Sequence, residues 1–212
     1  MGLIVGDVIL ECPVEVVDYL SHDLTWPIGT HGVKVREKIP KLIVVHITGA
    51  EHGSRHVYRT LCNRGLSIHF VIGRGGEIWQ FLDPGTRSAA HTGHQNAQSI
   101  GIELVNAGWP VLSNPYGRPL SRHWVHLAKG DQYVRSVERP CLGCLSGQLH
   151  SLNVLVSLLC SYLGIPYRRA DKRPYVPQAE RDALTGIAGH GQLAIKKGDP
   201  SADCLDCFPE AV

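Results

Sequence analysis

The chain has 212 residues, of which 43% are hydrophobic and 19% are charged, and its formal net charge is +2. This length suits one domain or at most two, with a hydrophobic core of ordinary size. The composition excludes an intrinsically disordered chain, a membrane-spanning run of about 20 apolar residues and a strongly basic nucleic-acid-binding surface. The first segment lacks the basic start of a signal peptide, so we expect the protein in the cytoplasm of the cell that makes it.

Strands and a short helix are predicted in the first half of the chain. Residues 41–47 (KLIVVHI) are apolar and β-branched, which is typical of a buried central strand. Residues 54–63 carry apolar side chains at helical spacing and are predicted to form a short helix. Residues 67–72 and 77–82 flank four residues that include three glycines, a pattern that is typical of a hairpin.

The second half is predicted to contain one more buried strand and the longest helix. Residues 99–105 (SIGIELV) are predicted to form the strand. Residues 148–163 are predicted to form the helix, which ends at a glycine and a nearby proline. Between them, residues 107–147 are rich in Gly, Pro, Ser and Arg and are predicted to be a long surface insertion. The tail at 191–212 is expected to be irregular.

These elements predict one α/β domain of the mixed α+β type, in which a central mixed β-sheet is flanked by helices. We expect this domain at residues 41–212, with the insertion inside it. Residues 1–40 are predicted to be an N-terminal lead-in segment with a short amphipathic piece at residues 14–20.

The seven cysteines leave two interpretations open. Their number is odd and too small for a disulfide scaffold, so reduced thiols are expected. The pairs Cys141/Cys144 and Cys204/Cys207 have the C-x2-C spacing of zinc ligands, but they lie far apart in the sequence. A structural zinc or redox site and ordinary loop thiols are both possible interpretations. The remaining cysteines of apolar, helix-like stretches, at positions 62 and 160, are predicted to be packing residues.

Three side chains could bind a metal ion together. His46 ends a buried strand, which is where sheets commonly present functional groups. Late in the chain His190 follows a glycine, and Asp199 precedes a proline. Two imidazoles and one carboxylate would leave one tetrahedral zinc position open, as in catalytic sites. From the spacing alone, a capped turn containing His190 and Asp199 is the alternative.

Glu103 is unusual because it lies in an otherwise apolar strand. Buried glutamates are rare unless they are paired. A carboxylate in a low-dielectric site near a cation can act as a general base with a tuned pKa. The alternative is a glutamate that faces water at the end or the edge of the strand.

Four segments in this order resemble the zinc-dependent N-acetylmuramoyl-L-alanine amidases: KLIVVHITGA, SIHFVIGRGGEIWQFLD, RSAAHTGHQNAQSIGIELVN and GHGQLAIKKGDP. This superfamily includes T7-type lysozymes and peptidoglycan recognition proteins. The resemblance implies a Zn²⁺ site at one end of the sheet with His46, His190 and Asp199 as its ligands. It also implies that Glu103 is the general base and that Lys197 stabilises the developing oxyanion.

The resemblance further implies a substrate and a reaction. The substrate is peptidoglycan or a muropeptide, and the bond cleaved is the amide between N-acetylmuramic acid and L-alanine of the stem peptide. The residues implied in substrate binding are His91, His69 and Asn96. A non-catalytic peptidoglycan-binding module of the same fold is the alternative, but such relatives usually lack a zinc ligand. An endolysin, a muropeptide-recycling enzyme and an effector delivered to a rival's cell wall all fit the sequence.

Overall fold

The computed structural model of the protein describes residues 2–108 and 117–210. The strands are β1 (Gly2–Val5), β2 (Val8–Glu11), β3 (Val16–Val17), β4 (Lys34–Val35), β5 (Leu42–Ile47), β6 (Phe70–Ile72), β7 (Ile78–Gln80), β8 (Arg87–Ser88), β9 (Ser99–Leu104), β10 (Leu120–Lys129), β11 (Gln132–Leu142) and β12 (Gly186–Gly189). The α-helices are α1 (Tyr19–His22), α2 (Ser54–Asn63), α3 (Ser146–Leu163), α4 (His190–Leu193) and α5 (Ala202–Asp206). Two 3-10 helices cover Gly93–Gln98 and Gln178–Ala183.

A mixed six-stranded sheet organises the molecule, in the order β12-β5-β9-β6-β7-β3. Strands β12, β5, β9 and β6 run parallel to their neighbours, whereas β7 is antiparallel to β6. The two apolar segments that predicted central strands are β5 and β9, and they lie side by side. The predicted hairpin at 67–82 is formed by β6 and β7, which are shorter than predicted.

Successive side chains of the central strands point alternately to the two faces of the sheet. One face packs against the main core, and the other carries His46. Ile43 and Val45 of β5 are fully buried in the main core, together with side chains of α3 and of β1. Residues 42, 44 and 46 point to the opposite face, because successive strand residues alternate. On that face residues 42 and 44 are apolar, whereas residue 46 is a histidine. His46 is only 3% exposed.

Both predicted helices are present. Helix α2 covers the predicted residues and buries Val57 and Leu61 in a second cluster with Trp26 and Phe81. Helix α3 begins two residues before its predicted start and ends at Gly164, whose φ of 71° is the left-handed conformation that glycine adopts most easily. Of the two cysteines predicted to pack, position 160 is buried in the main core and position 62 is partly buried against the second cluster.

The lead-in segment is more structured than expected. The amphipathic piece predicted at residues 14–20 is divided into strand β3 and the single-turn helix α1. Upstream, β1 and β2 form a hairpin that is fixed to the sheet by Gln80, whose side chain exchanges hydrogen bonds with the backbone of Ile4. The start of the amidase region at residue 41 stays a prediction, but the residues before it contribute to the same core.

The insertion and the tail differ from the prediction. Within the insertion predicted at 107–147, residues 120–142 form a long antiparallel hairpin, β10–β11, rather than an irregular loop. Both strands are largely exposed, and their charged residues interrupt the apolar alternation that would have indicated strands. Residues 109–116 of the insertion lie outside the described residues. The tail contains α4 and α5. In the described parts of the chain, no helix has the length and apolarity needed to cross a membrane.

Candidate metal centre and active site

His46, His190 and Asp199 converge on one point, as the sequence predicted for a metal site. The Nδ1 atoms of the two histidines lie 2.9 Å apart. The Oδ2 atom of Asp199 lies 3.8 Å from His46 Nδ1 and 3.4 Å from His190 Nδ1. One ligand atom from each residue falls within 4.8 Å of the others. Two imidazoles and a carboxylate are a donor set that Zn²⁺ commonly uses.

The sheet and one close backbone contact bring these ligands together. His46 lies at the carboxyl end of β5, and His190 follows β12, which is the parallel neighbour of β5. The carboxyl ends of parallel neighbours meet at one edge of the sheet. The amide of Gly191 donates to the carbonyl oxygen of Asp199 at 2.6 Å, and a Cβ at Gly191 would lie only 3.2 Å from the Cα of Gly198. Glycine at position 191 therefore lets the Asp199 loop approach His190.

A chain of hydrogen bonds fixes which nitrogen of His46 carries a proton. The hydroxyl of Ser99 donates to the carbonyl of Gln95 at 2.6 Å, so it can only accept from His91 Nε2, 3.1 Å away. His91 Nδ1 must then accept from His46 Nε2, at 3.0 Å. This arrangement leaves a lone pair on His46 Nδ1, the atom that faces His190 and Asp199.

The electrostatic surroundings keep these imidazoles neutral. Burial, and then the neighbouring His190 and His91, hold the pKa of His46 well below its usual value. Burial, followed by the effects of His190 and Arg36, lowers the pKa of His91 to about 3. Neutral imidazole is the form that binds metal ions, so His46 is in the protonation state that a metal site requires, and neutral His91 can accept its hydrogen bond.

Glu103 lies beside His46, in register on the adjacent strand, and both line the same cavity. Its Oε2 atom is covered and has no hydrogen-bond partner among the described residues. Burial, and then the charge of Asp199, raises the pKa of Glu103 to about 8, while Lys197 opposes this shift. A buried carboxylate oxygen without a hydrogen-bond partner is unusual and marks Glu103 as a candidate functional residue.

The remaining predicted residues occupy different positions. Lys197 is exposed on the rim of the cavity, and its charge acts on both Glu103 and His46. His91 lines the cavity as predicted. Asn96 also lines it, but its Oδ1 accepts the backbone amides of His91 and Thr92, at 3.0 and 2.8 Å, so its contacts in this structure order the His91 loop.

His69, which is predicted to bind substrate, is not among the residues that line the cavity. Its side chain is 0% exposed. Its Nδ1 accepts from the amide of Gly101 at 3.0 Å, and its Nε2 lies 3.1 Å from the carbonyl of Arg87. In this structure the side chain of His69 therefore holds the strand beneath His91. Position 101 has no room for a side chain, because a Cβ there would lie 2.7 Å from His91 Nδ1.

The β10–β11 hairpin contributes to the site, although its sequence did not predict this role. The cavity has a volume of 820 Å³, and β10 supplies part of its wall through His123, Trp124 and His126. His126 Nε2 lies 2.7 Å from the carbonyl oxygen of Gly191, which directly follows the candidate ligand His190. The only indication in the sequence was the aromatic-rich run HWVH, which does not belong to the segments that resemble the amidases.

Comparison with known proteins gives the same superfamily as the sequence motifs. Residues 36–202 match the family described as N-acetylmuramoyl-L-alanine amidase. No curated protein sequence matches the chain. Among solved structures, the chain is similar to the ectodomain complex of peptidoglycan recognition proteins LCa and LCx bound to tracheal cytotoxin, with a TM-score of 0.52, 14% identity and coverage of 91% of this chain and 93% of that one.

Two endolysin structures are also similar. One is the N-acetylmuramoyl-L-alanine amidase endolysin LysCS from Clostridium intestinale URNW, with a TM-score of 0.50, 14% identity and coverage of 89% and 88%. The other is a mutant endolysin from Bacillus subtilis, with a TM-score of 0.50, 18% identity and coverage of 87% and 89%. At these identities the structures show the fold, and they confirm the predicted mixed α+β domain. Because the family match spans most of the sequence, the chain belongs to the N-acetylmuramoyl-L-alanine amidase family.

Proposed function

We propose that the protein is a zinc-dependent amidase that hydrolyses the bond between N-acetylmuramic acid and L-alanine in peptidoglycan or its muropeptides. The observation that carries this proposal is the convergence of His46, His190 and Asp199 in one cavity with Glu103. The family to which the chain belongs supports the choice of substrate and bond.

The residues present fit the metal that this proposal requires. His46 and His190 would bind through Nδ1 and Asp199 through Oδ2, since these are the atoms that converge. Zinc in such a site supplies a Lewis acid and promotes the ionisation of water near neutral pH. The lone pair on His46 Nδ1 and the covered, unpartnered oxygen of Glu103 are the features of the structure that support this fit.

Two side chains would carry the proton transfer and the charge. Glu103 lines the cavity, and its carboxylate, in the ionised form that a bound cation would favour, would take a proton from the attacking water and then deliver it to the leaving nitrogen of L-alanine. The ammonium group of Lys197, at the rim, would stabilise the negative charge that develops on the carbonyl oxygen. The cavity of 820 Å³ is large enough for the two residues that flank a scissile amide.

Catalysis is favoured over simple binding by the completeness of the site. A module that only held peptidoglycan would need neither a metal-binding triad nor an unpartnered carboxylate beside it. The chain keeps both, and the supporting hydrogen bonds from His91 and Ser99 are also in place.

The test is product analysis by mass spectrometry after incubation with purified sacculi. The wild-type protein should release free stem peptides that begin with L-alanine, and a chelator should abolish this release until zinc is restored. Glu103→Gln should keep zinc and lose at least 100-fold in rate, because one general base typically contributes that much. The exposed His150 on α3 provides a matched control, since His150→Ala should not change the rate.

Two outcomes would reject the proposal. Sacculi that bind the protein but remain uncut, with zinc present, would assign it to the binding modules of this fold. Cleavage at a different bond would leave the metal site intact but refute the proposed substrate specificity.

A further inference from the structure

The second cluster of metal-ligand side chains lies where the two C-x2-C pairs meet. Cys144 follows β11, whereas Cys204 belongs to α5 in the tail, and their sulfur atoms lie 2.6 Å apart. Both side chains are buried, with exposures of 1% and 0%. Together with Asp203 they form a group whose ligand atoms all lie within 4.8 Å of one another.

The other member of each pair belongs to the same two segments, although its sulfur lies outside the 4.8 Å group, so its side chain would have to turn toward an ion bound there. Cys141 is paired with Ser121 across the hairpin, and the hydroxyl of Ser121 donates to Asp203 at 2.8 Å. The thiol of Cys207 lies one helical turn after Cys204 and donates to its carbonyl oxygen at 3.3 Å.

We propose that the two C-x2-C pairs form a second metal site, in which the thiolates of Cys141, Cys144, Cys204 and Cys207 bind one Zn²⁺. Four thiolates are a common ligand set for structural zinc, and C-x2-C is the usual spacing for two of them. Asp203 is left out of the ligand set because its carboxylate already accepts hydrogen bonds from Ser121 and from the amide of Cys144.

A metal explains this cluster better than the alternatives do. Two structures could join the buried sulfur atoms of Cys144 and Cys204, a disulfide or a shared metal ion. A disulfide would use one cysteine of each pair and leave two buried thiols beside a carboxylate without a role. Zinc uses all four, and since Zn–S bonds are about 2.3 Å long, the Cys144 and Cys204 sulfurs should separate to about 3.8 Å when the ion is bound.

This site would be structural and would act on the active site through the chain. Four protein ligands leave no open position for water or substrate. Helix α5 begins only three residues after Asp199, and Cys144 precedes α3. The ion would therefore attach the loop that carries Asp199 to the hairpin and to the longest helix of the fold. The proposal does not depend on the amidase activity.

The experiment measures zinc content and zinc ligation in the full-length chain purified under reducing conditions without chelator. Elemental analysis of the wild type should give two zinc ions per chain, and the double variant His46→Ala/His190→Ala should keep one. X-ray absorption at the zinc edge of that variant should show sulfur ligands only, at about 2.3 Å. Cys144→Ser and Cys204→Ser should each lower the wild-type content from two ions to one.

Cys160→Ser is the matched control, because Cys160 is a buried thiol of α3 outside both pairs, and this variant should retain both ions. A double histidine variant that contains no zinc, or zinc without sulfur ligands, would overturn the proposal. So would an intact mass two hydrogens lower than that of the reduced chain, since this would show a disulfide. If the cysteine variants do not fold, the absorption spectrum of the double histidine variant still decides.

Discussion

At the scale of single residues, the site depends on side chains that never touch the metal position. Ser99 and His91 determine which nitrogen of His46 carries the proton, and Asn96 orders the loop from which His91 projects. The sequence pointed to the three proposed ligands and to Glu103, because His46 and Glu103 are polar residues in apolar strands and the family motifs contain all four. It did not predict the role of Ser99, because a serine at the start of a strand has no distinctive pattern.

Replacing Ser99 should weaken metal binding without removing a ligand. In Ser99→Ala the Nε2 proton of His91 loses its acceptor, so the orientation of His91 and the tautomer of His46 are no longer fixed. Zinc affinity should fall about 10-fold to 100-fold, as for other hydrogen-bond partners of metal-binding histidines. Competition with a chromophoric chelator measures this change. Ser157→Ala, on the exposed side of α3, is the control, and equal affinities for the two variants would refute the assigned hydrogen-bond chain.

Adding a single methyl group at Gly101 should disturb both the sheet and the site. The new Cβ would clash with Ile68 and would lie 2.7 Å from His91 Nδ1. Gly101→Ala should therefore lower the free energy of unfolding by about 1–3 kcal/mol, the range for overpacked cores, and reduce zinc affinity. Denaturant titration measures the first effect. At Gly53 a Cβ meets no atom within 4 Å, so a loss in Gly53→Ala as large as in Gly101→Ala would contradict this account.

At the scale of elements, the predictions succeeded for strands and helices that are buried on one face or on all sides. Strands β5 and β9 and helices α2 and α3 have patterns that persist over six residues or more. The β10–β11 hairpin was missed because polar and apolar residues mix on its exposed strands. The hairpin contacts the loop that carries Asp199. In that loop the glycine at position 198 leaves space for the backbone of Trp124.

Removing the hairpin contact should loosen the second histidine ligand. His126 Nε2 lies 2.7 Å from the Gly191 carbonyl, and its Nδ1 lies 2.7 Å from Ser136. His126→Ala should cost about 1 kcal/mol, a typical hydrogen bond, which corresponds to about a 5-fold faster loss of zinc to a chelator. Stopped-flow transfer of zinc measures that rate. If His126→Ala and the surface variant His150→Ala release zinc at the same rate, the hairpin does not support the backbone next to His190.

At the scale of the whole molecule, buried neutral histidines link stability to pH. Burial, and then Arg36 and His91, hold the pKa of His69 well below its usual value of about 6.5. The unfolded chain takes up a proton below that pH, whereas the native protein does not. Stability from this group is therefore complete above about pH 6.5 and is lost as the pH falls.

Metal-free protein should show this dependence directly. The free energy of unfolding of the wild type should decrease on acidification, and His69 should contribute up to about 1.4 kcal/mol per pH unit. His69→Gln should remove that contribution, so its stability should change less between pH 7 and 5. Urea titrations at several pH values give both slopes. If the free energies of unfolding of the wild type and of His69→Gln changed equally with pH, His69 would titrate normally in the native state.

The whole molecule also shows why the fold could be predicted more completely than the site. The sheet follows from apolar runs, which are local signals in the sequence. The cavity wall, the contact between the tail and the hairpin, and the meeting of the two cysteine pairs join residues far apart in the chain. Spacing alone does not establish such contacts: it left a metal site and a capped turn open for the three proposed ligands, and the family motifs favoured the metal site.

The most direct test of the central claim is an anomalous difference map at the zinc edge from crystals of the protein. The account predicts a peak about 2.0–2.2 Å from His46 Nδ1, His190 Nδ1 and Asp199 Oδ2. Zinc-loaded crystals without density at that point, or with a zinc ion in the cavity bound by other residues, would contradict it.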